Sequence, residues 1–141
     1  MPGDVQHITI EIFDNRTGET GIETIITNDV INEFSRTRIV EVTGGENADA
    51  VLSGVIRSAG TRAISHRSAY TTAEKEITII LDLTLATPEG KVLWTAKGIE
   101  ESENYAVGSE KIRTEQNKKS AVASLSGRLA QRIFYRITDR F

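Results

Sequence analysis

The residues best equipped for chemistry are cations. Arg128, Arg132, Arg136 and Arg140 recur at intervals of four, which on a helix makes a slowly rotating stripe. Guanidinium forks suit phosphates and carboxylates, so this stripe is a candidate partner-binding surface. The alternative is that the four arginines follow a helix boundary, stems packed on a sheet edge and heads in water. A second cationic set, Arg57, Arg62, His66 and Arg67 with Lys75 and Lys91 near the adjoining hairpin, is a candidate for an anionic head group. Ordinary scattered surface charge is its alternative. Catalysis has little to work with: there is no G-x-S-x-G elbow, H-E-x-x-H, Walker loop or G-x-G-x-x-G. A Ser/His/acid triad is defined by geometry rather than spacing, and the two histidines, His7 in a strand and His66 in a Ser-rich stretch, read more simply as surface residues. Cysteine is absent, which excludes thiol nucleophiles, disulfides and Cys-type metal sites. Glu100, Glu101 and Glu103 lack the alternating oxygen-ligand loop of a calcium site and are expected as a solvated strand end. A non-enzymatic protein with no metal and no cofactor is the expectation.

These side chains need a scaffold, and the composition supplies one. With 141 residues, 38% hydrophobic and 26% charged, the chain has the size and make-up of one soluble domain, residues 1–141. Folding at this length buries roughly two thirds of the surface the unfolded chain exposes, enough for a core without disulfides or metals. No stretch approaches the roughly 18 to 20 apolar residues of a membrane-spanning helix, and the N-terminus has neither a basic start nor an apolar signal core. A soluble chain is expected, including the mature part of an exported protein whose signal has been removed. The net charge of −3 hides an asymmetry: residues 108–141 carry +5 and the remainder −8. A basic face that meets something anionic is one consequence; balance within the fold is the other. A sequence pI near 5.5, with no helix-turn-helix, zinc finger or aromatic stacking strand, argues against nucleic acid.

Residues 5–13 alternate with β-branched side chains and predict a first strand, broken by Asp14-Asn15-Arg16-Thr17-Gly18. Thr20 with Glu23 three residues later suits a capping box, and Ile22, Ile25/Ile26, Val30 and Phe34 fall at helical spacing, so a helix is expected over about 20–36. A short strand over 38–42 ends at Thr43-Gly44-Gly45, and a longer one starts at Ala48. Gly54 inside it signals a bulge or a close backbone approach. Residues 71–86 alternate, with Glu74, Glu76, Thr78, Ile80, Asp82 and Thr84 on one face and Lys75, Ile77, Ile79, Leu81, Leu83 and Leu85 on the other. That is a half-buried antiparallel strand. Thr87-Pro88-Glu89-Gly90-Lys91 has turn chemistry, and residues 92–98 return as the hairpin partner with Trp94 as a core aromatic. Val122, Leu125, Leu129, Ile133 and Ile137 predict a long helix over about 110–138, weakened by Gly127 at about 1 kcal/mol. The fold expected is an α+β two-layer sandwich, two helices on one face of a mixed, mostly antiparallel four- to five-stranded sheet (β-α-β-β-β-β-α).

Several phrases, in this order and spacing, resemble a known family. They are Ile12-Phe13-Asp14-Asn15-Arg16-Thr17, Gly21-Ile22-Glu23, Ala48-Asp49-Ala50-Val51-Leu52-Ser53-Gly54-Val55-Ile56, Gly90-Lys91-Val92-Leu93-Trp94 and Glu103-Asn104-Tyr105. Together they are similar to the LPS-assembly lipoproteins, the LptE or rare lipoprotein B family, over almost the whole chain. The resemblance implies an outer-membrane lipoprotein on the periplasmic side, anchored through an N-terminal lipidated Cys that this sequence lacks. It also implies a non-catalytic plug inside an LptD-type β-barrel that helps deliver lipopolysaccharide to the outer leaflet. The family offers no invariant ligand motif to transfer. The lipid A or core phosphate site expected at Arg57, Arg62, Arg67, Lys75 and Lys91 therefore rests on charge, as does the partner surface at Arg128, Arg132, Arg136 and Arg140. Two alternatives share parts of the pattern: an outer-membrane lipoprotein adaptor that activates a peptidoglycan synthase, because such domains open with a strand ending in a similar Phe-x-Asn-x-Thr phrase, and a small periplasmic hydrolase built on His66.

Overall fold

The computed structural model describes residues 5–44, 47–64 and 73–139. The alternating segments become strands β1 (His7–Ile10), β2 (Asp14–Asn15), β3 (Glu41–Val42), β4 (Ala50–Ile64), β5 (Glu74–Ala86) and β6 (Val92–Ala106). The two helical patterns become α1 (Ile22–Thr37) and α2 (Lys111–Asp139). All strands belong to one six-stranded sheet in the order β3-β1-β4-β5-β6, with β2 also paired to β4. Pairing is parallel for β1–β3, β1–β4 and β2–β4 and antiparallel for β4–β5 and β5–β6. The expected α+β architecture is therefore present, with one strand more than expected.

That extra strand is the stretch predicted as a break. β1 ends early, the chain leaves the sheet after the Glu11 N–H donates to the Leu52 carbonyl, and Asp14 and Asn15 rejoin β4 beside Val55 and Ile56. The detour lets Phe13 drop into the core, 1% exposed, where its backbone N–H donates to Thr27 Oγ1 of α1 at 3.0 Å. Gly54 makes room for it: a Cβ there would lie 3.0 Å from Leu83 and 3.1 Å from the Phe13 ring. Of the two meanings expected for this glycine, the close approach holds, and the bulge falls further on, between Ile56 and Ser58. The capping-box expectation is corrected too. The N-cap is Gly21 in a left-handed conformation (φ 93°), not Thr20, and Glu23 accepts the Gly21 N–H at 2.9 Å. Asn15 ties the turn by donating to the Glu19 carbonyl and to Glu23 while accepting from Thr17. These bonds, led by the Glu23 backbone N–H and the Asn15 amide, hold the Glu23 carboxyl below its usual pKa.

Both helices cover one face. α1 buries Ile22, Ile26, Val30 and Phe34, and α2 buries Val122, Leu125, Leu129, Ile133 and Ile137, each row at the three- or four-residue spacing of one helix side. They run parallel. Lys118 bonds Glu19 near their starts, and Phe34 meets Phe134 edge-to-face at 5.1 Å near their ends. Beneath them lie Ile77, Ile79, Leu81, Leu83 and Leu85 of β5, each at most 1% exposed. Each such side chain contributes about 1.5–3 kcal/mol relative to exposure. Glu76, Thr78, Asp82 and Thr84 alternate with them and form the opposite face, away from the helices.

Candidate functional site

β5 is a ruler for the cations expected to bind phosphate. It spans 13 residues, so its ends are roughly 40 Å apart at ~3.4 Å per residue. Lys75 stands at its start and Lys91 beyond its end, in the turn where Thr87 donates to the Lys91 carbonyl. Arg57 sits on the β4 bulge midway, its Nε 2.9 Å from Asp82. Arg62 is the register partner of Glu76 and bonds it at 2.8 Å. Arg67 and His66 lie outside the described residues. Of the cations expected to share a phosphate site, the fold brings Arg62 and Lys75 to one end of the sheet, leaves Arg57 midway, and puts Lys91 at the other end. The alternating strand pattern revealed faces but not the length separating the two turns.

At the Arg62 and Lys75 end the sheet meets the start of α2. Val107 donates to the Ala73 carbonyl, Gly108 donates to Thr114 Oγ1, and Asn117 donates to the Ala106 carbonyl. This brings Lys111 and Arg113 to the same end, together with Ile112 at 77% exposure. No acid occupies the first turn of α2, although a helix N-terminus favours anions and disfavours cations. Helix stability does not account for two cations in that turn. Arg113 has only a loose pair with Glu110 at 3.9 Å, both side chains well exposed. Lys118, deeper on the same helix, is spent on structure: burial is the largest influence and opposes its charge, but the bond to Glu19 and the charges of Glu19, Tyr105 and Glu115 together outweigh it and leave its pKa raised. Lys111 and Arg113 carried a signal in the sequence, two cations opening a long helix, that spacing rules for sites passed over.

Two arginines of the stripe, Arg128 and Arg132, meet β6. Arg128 donates to the Ser102 carbonyl at 2.7 Å and to Glu101 and Glu103. Arg132 donates to the Glu100 carbonyl and to Glu101. For these two, stems on a sheet edge is the arrangement observed, and Glu101 and Glu103 form a clamp in place of the solvated strand end expected. Arg136 is exposed and makes no ion pair among the described residues; Arg140 lies outside them. His7 lies 3.4 Å from Glu41 and 3.5 Å from Asp49, bridging β3 and the approach to β4. Among the described residues no group of three His, Asp or Glu side chains is placed to hold a metal ion, and no helix is long and apolar enough to cross a membrane.

The family whose model matches the chain is LptE, lipopolysaccharide-assembly, over residues 5–137. No curated protein matches. Among solved structures, lipoprotein B from Nitrosomonas europaea is similar with a TM-score of 0.66 at 15% identity, over 94% of this chain and 82% of that one. A minor lipoprotein from Acinetobacter baumannii gives 0.60 at 13% identity, over 96% and 92%. The rare lipoprotein B from Shewanella oneidensis gives 0.57 at 16% identity, over 96% of each. At these identities the likeness is one of fold.

Proposed function

This chain belongs to the LptE family of lipopolysaccharide assembly, and from that premise we propose that it is a non-catalytic component of lipopolysaccharide transport that plugs and stabilises an LptD-type β-barrel at the outer membrane. The family match over residues 5–137 carries this reading. The fold suits it, because a sheet backed by two helices along its length is a stiff body and not a hinged one. Val5 lies beside Thr87, Pro88 and Lys91, at the end opposite Lys75, Lys111 and Arg113. A lipid anchor preceding Val5 would hold that end at the periplasmic side of the membrane, with the basic end roughly 40 Å away.

Lipopolysaccharide contact belongs at the basic end. Lys75, Lys111 and Arg113 present charge-assisted donors for lipid A or core phosphates, and exposed Ile112 supplies an apolar neighbour for an acyl chain; Arg62 reaches the same end from the opposite face of the sheet, where it pairs with Glu76. Arg67 shares the assignment from its sequence position. Arg57 and Lys91 stand apart from this cluster. Co-expression with the LptD-type barrel of the same organism, followed by detergent purification, tests the plug. A stable one-to-one complex is expected; a folded barrel that purifies without this protein overturns it. Charge reversal by Lys111→Glu and Arg113→Glu is expected to weaken lipopolysaccharide binding at fixed salt without unfolding the protein. Unchanged binding removes the basic end from the reading.

A further inference from the structure

Among the described residues, in the half of the sheet nearest the basic end only β4, β5 and β6 remain, because β1 and β2 pair with β4 no further than Ile56. Arg16 donates the last bond on that side, to the Ile56 carbonyl. From residue 58 to 64, β4 is therefore a sheet edge, and Gly60, Thr61, Arg62 and Ala63 are all exposed. Which backbone groups face out follows from β6. The carbonyls of Glu100 and Ser102 point away from β5, since α2 arginines reach them. Their register partners Ile80 and Thr78 then turn their own groups toward β4. Ser58 and Gly60 oppose those two residues, so Ala59, Thr61 and Ala63 turn N–H and C=O outward. Among the described residues nothing bonds them.

Natural edges of this length are blunted by lysines, prolines, bulges or a covering element. Residues 58–64 contain no lysine and no proline, and their pairing with β5 is unbroken after Ser58. We propose that this edge is a docking surface for a second copy of the same chain, pairing β4 with β4 antiparallel about a two-fold axis through Thr61. The side chains fit that arrangement. Thr61 opposes Thr61 of the second copy, Ala59 opposes Ala63, and the one cation, Arg62, opposes Gly60. No like charges face each other, and Arg62 is already neutralised by Glu76. The outward groups of Ala59, Thr61 and Ala63 coincide with the bonded pairs this register requires, and one isologous contact joins two sheets into one. The inference stands independently of the barrel.

Sedimentation equilibrium of the purified protein across micromolar concentrations tests it, with a reversible dimer expected. Thr61→Pro removes an outward donor at the axis and leaves the bonds to β5 intact, a substitution edge strands tolerate. Both copies lose a bond, and the dimer should weaken at least about tenfold. Gly60→Lys sets a like charge opposite Arg62 and is expected to act the same way; a Cβ at this position meets nothing closer than Ser58 Oγ at 4.0 Å. Independently of either variant's stability, Ala59→Cys mixed with Ala63→Cys should give the mixed disulfide faster than either protein links to itself. The chain has no other cysteine, and bonded antiparallel pairs hold Cα atoms at about 5.5 Å, within disulfide reach. A monomer at every concentration, or a dimer indifferent to Thr61→Pro and Gly60→Lys with no preference for the mixed disulfide, overturns the proposal.

Discussion

The two edges of the β4–β5–β6 ribbon are alike in backbone and opposite in treatment. Along β6, α2 lies antiparallel to the strand and supplies side-chain donors to its outward carbonyls: Asn117 to Ala106, Arg128 to Ser102 and Arg132 to Glu100. The match is metric, since four helical residues rise about 6 Å and two strand residues about 6.8 Å. A polar residue every helical turn can therefore track the outward groups and stand in for a seventh strand. Where the helix cover runs out the strand bulges at Lys97 and Gly98, with Gly98 at φ 71° donating its N–H to Asp82. Among the described residues β4 has no such partner beyond Ile56. An edge is thus closed by whatever element happens to lie along it, and α1 packs over β1, β2 and β3 instead of the far half of β4.

Several substitutions would break this contrast or sharpen it. The largest effect is expected from Leu129→Ala, which removes a fully buried side chain that holds α2 on the sheet. It should cost about 2–5 kcal/mol in denaturant unfolding and loosen the cover of β6 while sparing β4. The double change Arg128→Ala and Arg132→Ala strips the β6 cover alone. Because both side chains are about half exposed, 44% and 50%, the cost should be modest, about 1–2 kcal/mol. Amide exchange should speed up along residues 100–103 and stay unchanged in β5. A uniform rise in exchange across the sheet would mean that the arginines support the whole layer and not the edge.

Asn15→Ala addresses the point where the β4 edge becomes bare. It unties the turn that returns β2 to the sheet, and about 1 kcal/mol of destabilisation is expected, with faster exchange of the Arg16 amide. The smallest effect concerns pH. Asp49 accepts the backbone N–H groups of Gln6 at 2.9 Å and His7 at 3.0 Å, and these bonds hold its pKa below the usual value. A carboxyl depressed in the folded state contributes stability above its unfolded pKa, about 3.9, and loses it as pH falls through the folded value. Asp49→Asn should therefore flatten the acid-side loss of stability below about pH 4 and leave the slope near neutrality unchanged.

Much of the fold was legible because its signals are local. The strict alternation of β5 identified its buried face residue by residue, and the apolar rows of α1 and α2 identified theirs. Gly54 announced a close approach without saying to what, because Phe13 lies far away in the chain and its path inward depends on β1 leaving the sheet. The Thr20 cap was misplaced because Gly21, able to take positive φ, ends the turn one residue later. The site was less legible. Charge composition pointed to cations, yet whether they act together depends on which strand ends meet, and that separated Lys91 from Lys75 by the length of β5 while adding Lys111 and Arg113.

By itself the sequence determined the element types other than β2, the buried faces and the family, all of which follow from periodicity, turn chemistry and the order of short phrases. Only the tertiary structure decided what the arginine stripe touches and which edge is left open. A guanidinium spaced for a helix face has the same pattern whether it meets solvent, a partner or a neighbouring strand. Arg128 and Arg132 met β6 because α2, held by its apolar row, lies along that strand at a matching repeat. Nothing in residues 58–64 announces their exposure, since a strand's outward backbone groups carry no side-chain signature and depend on where its neighbours end.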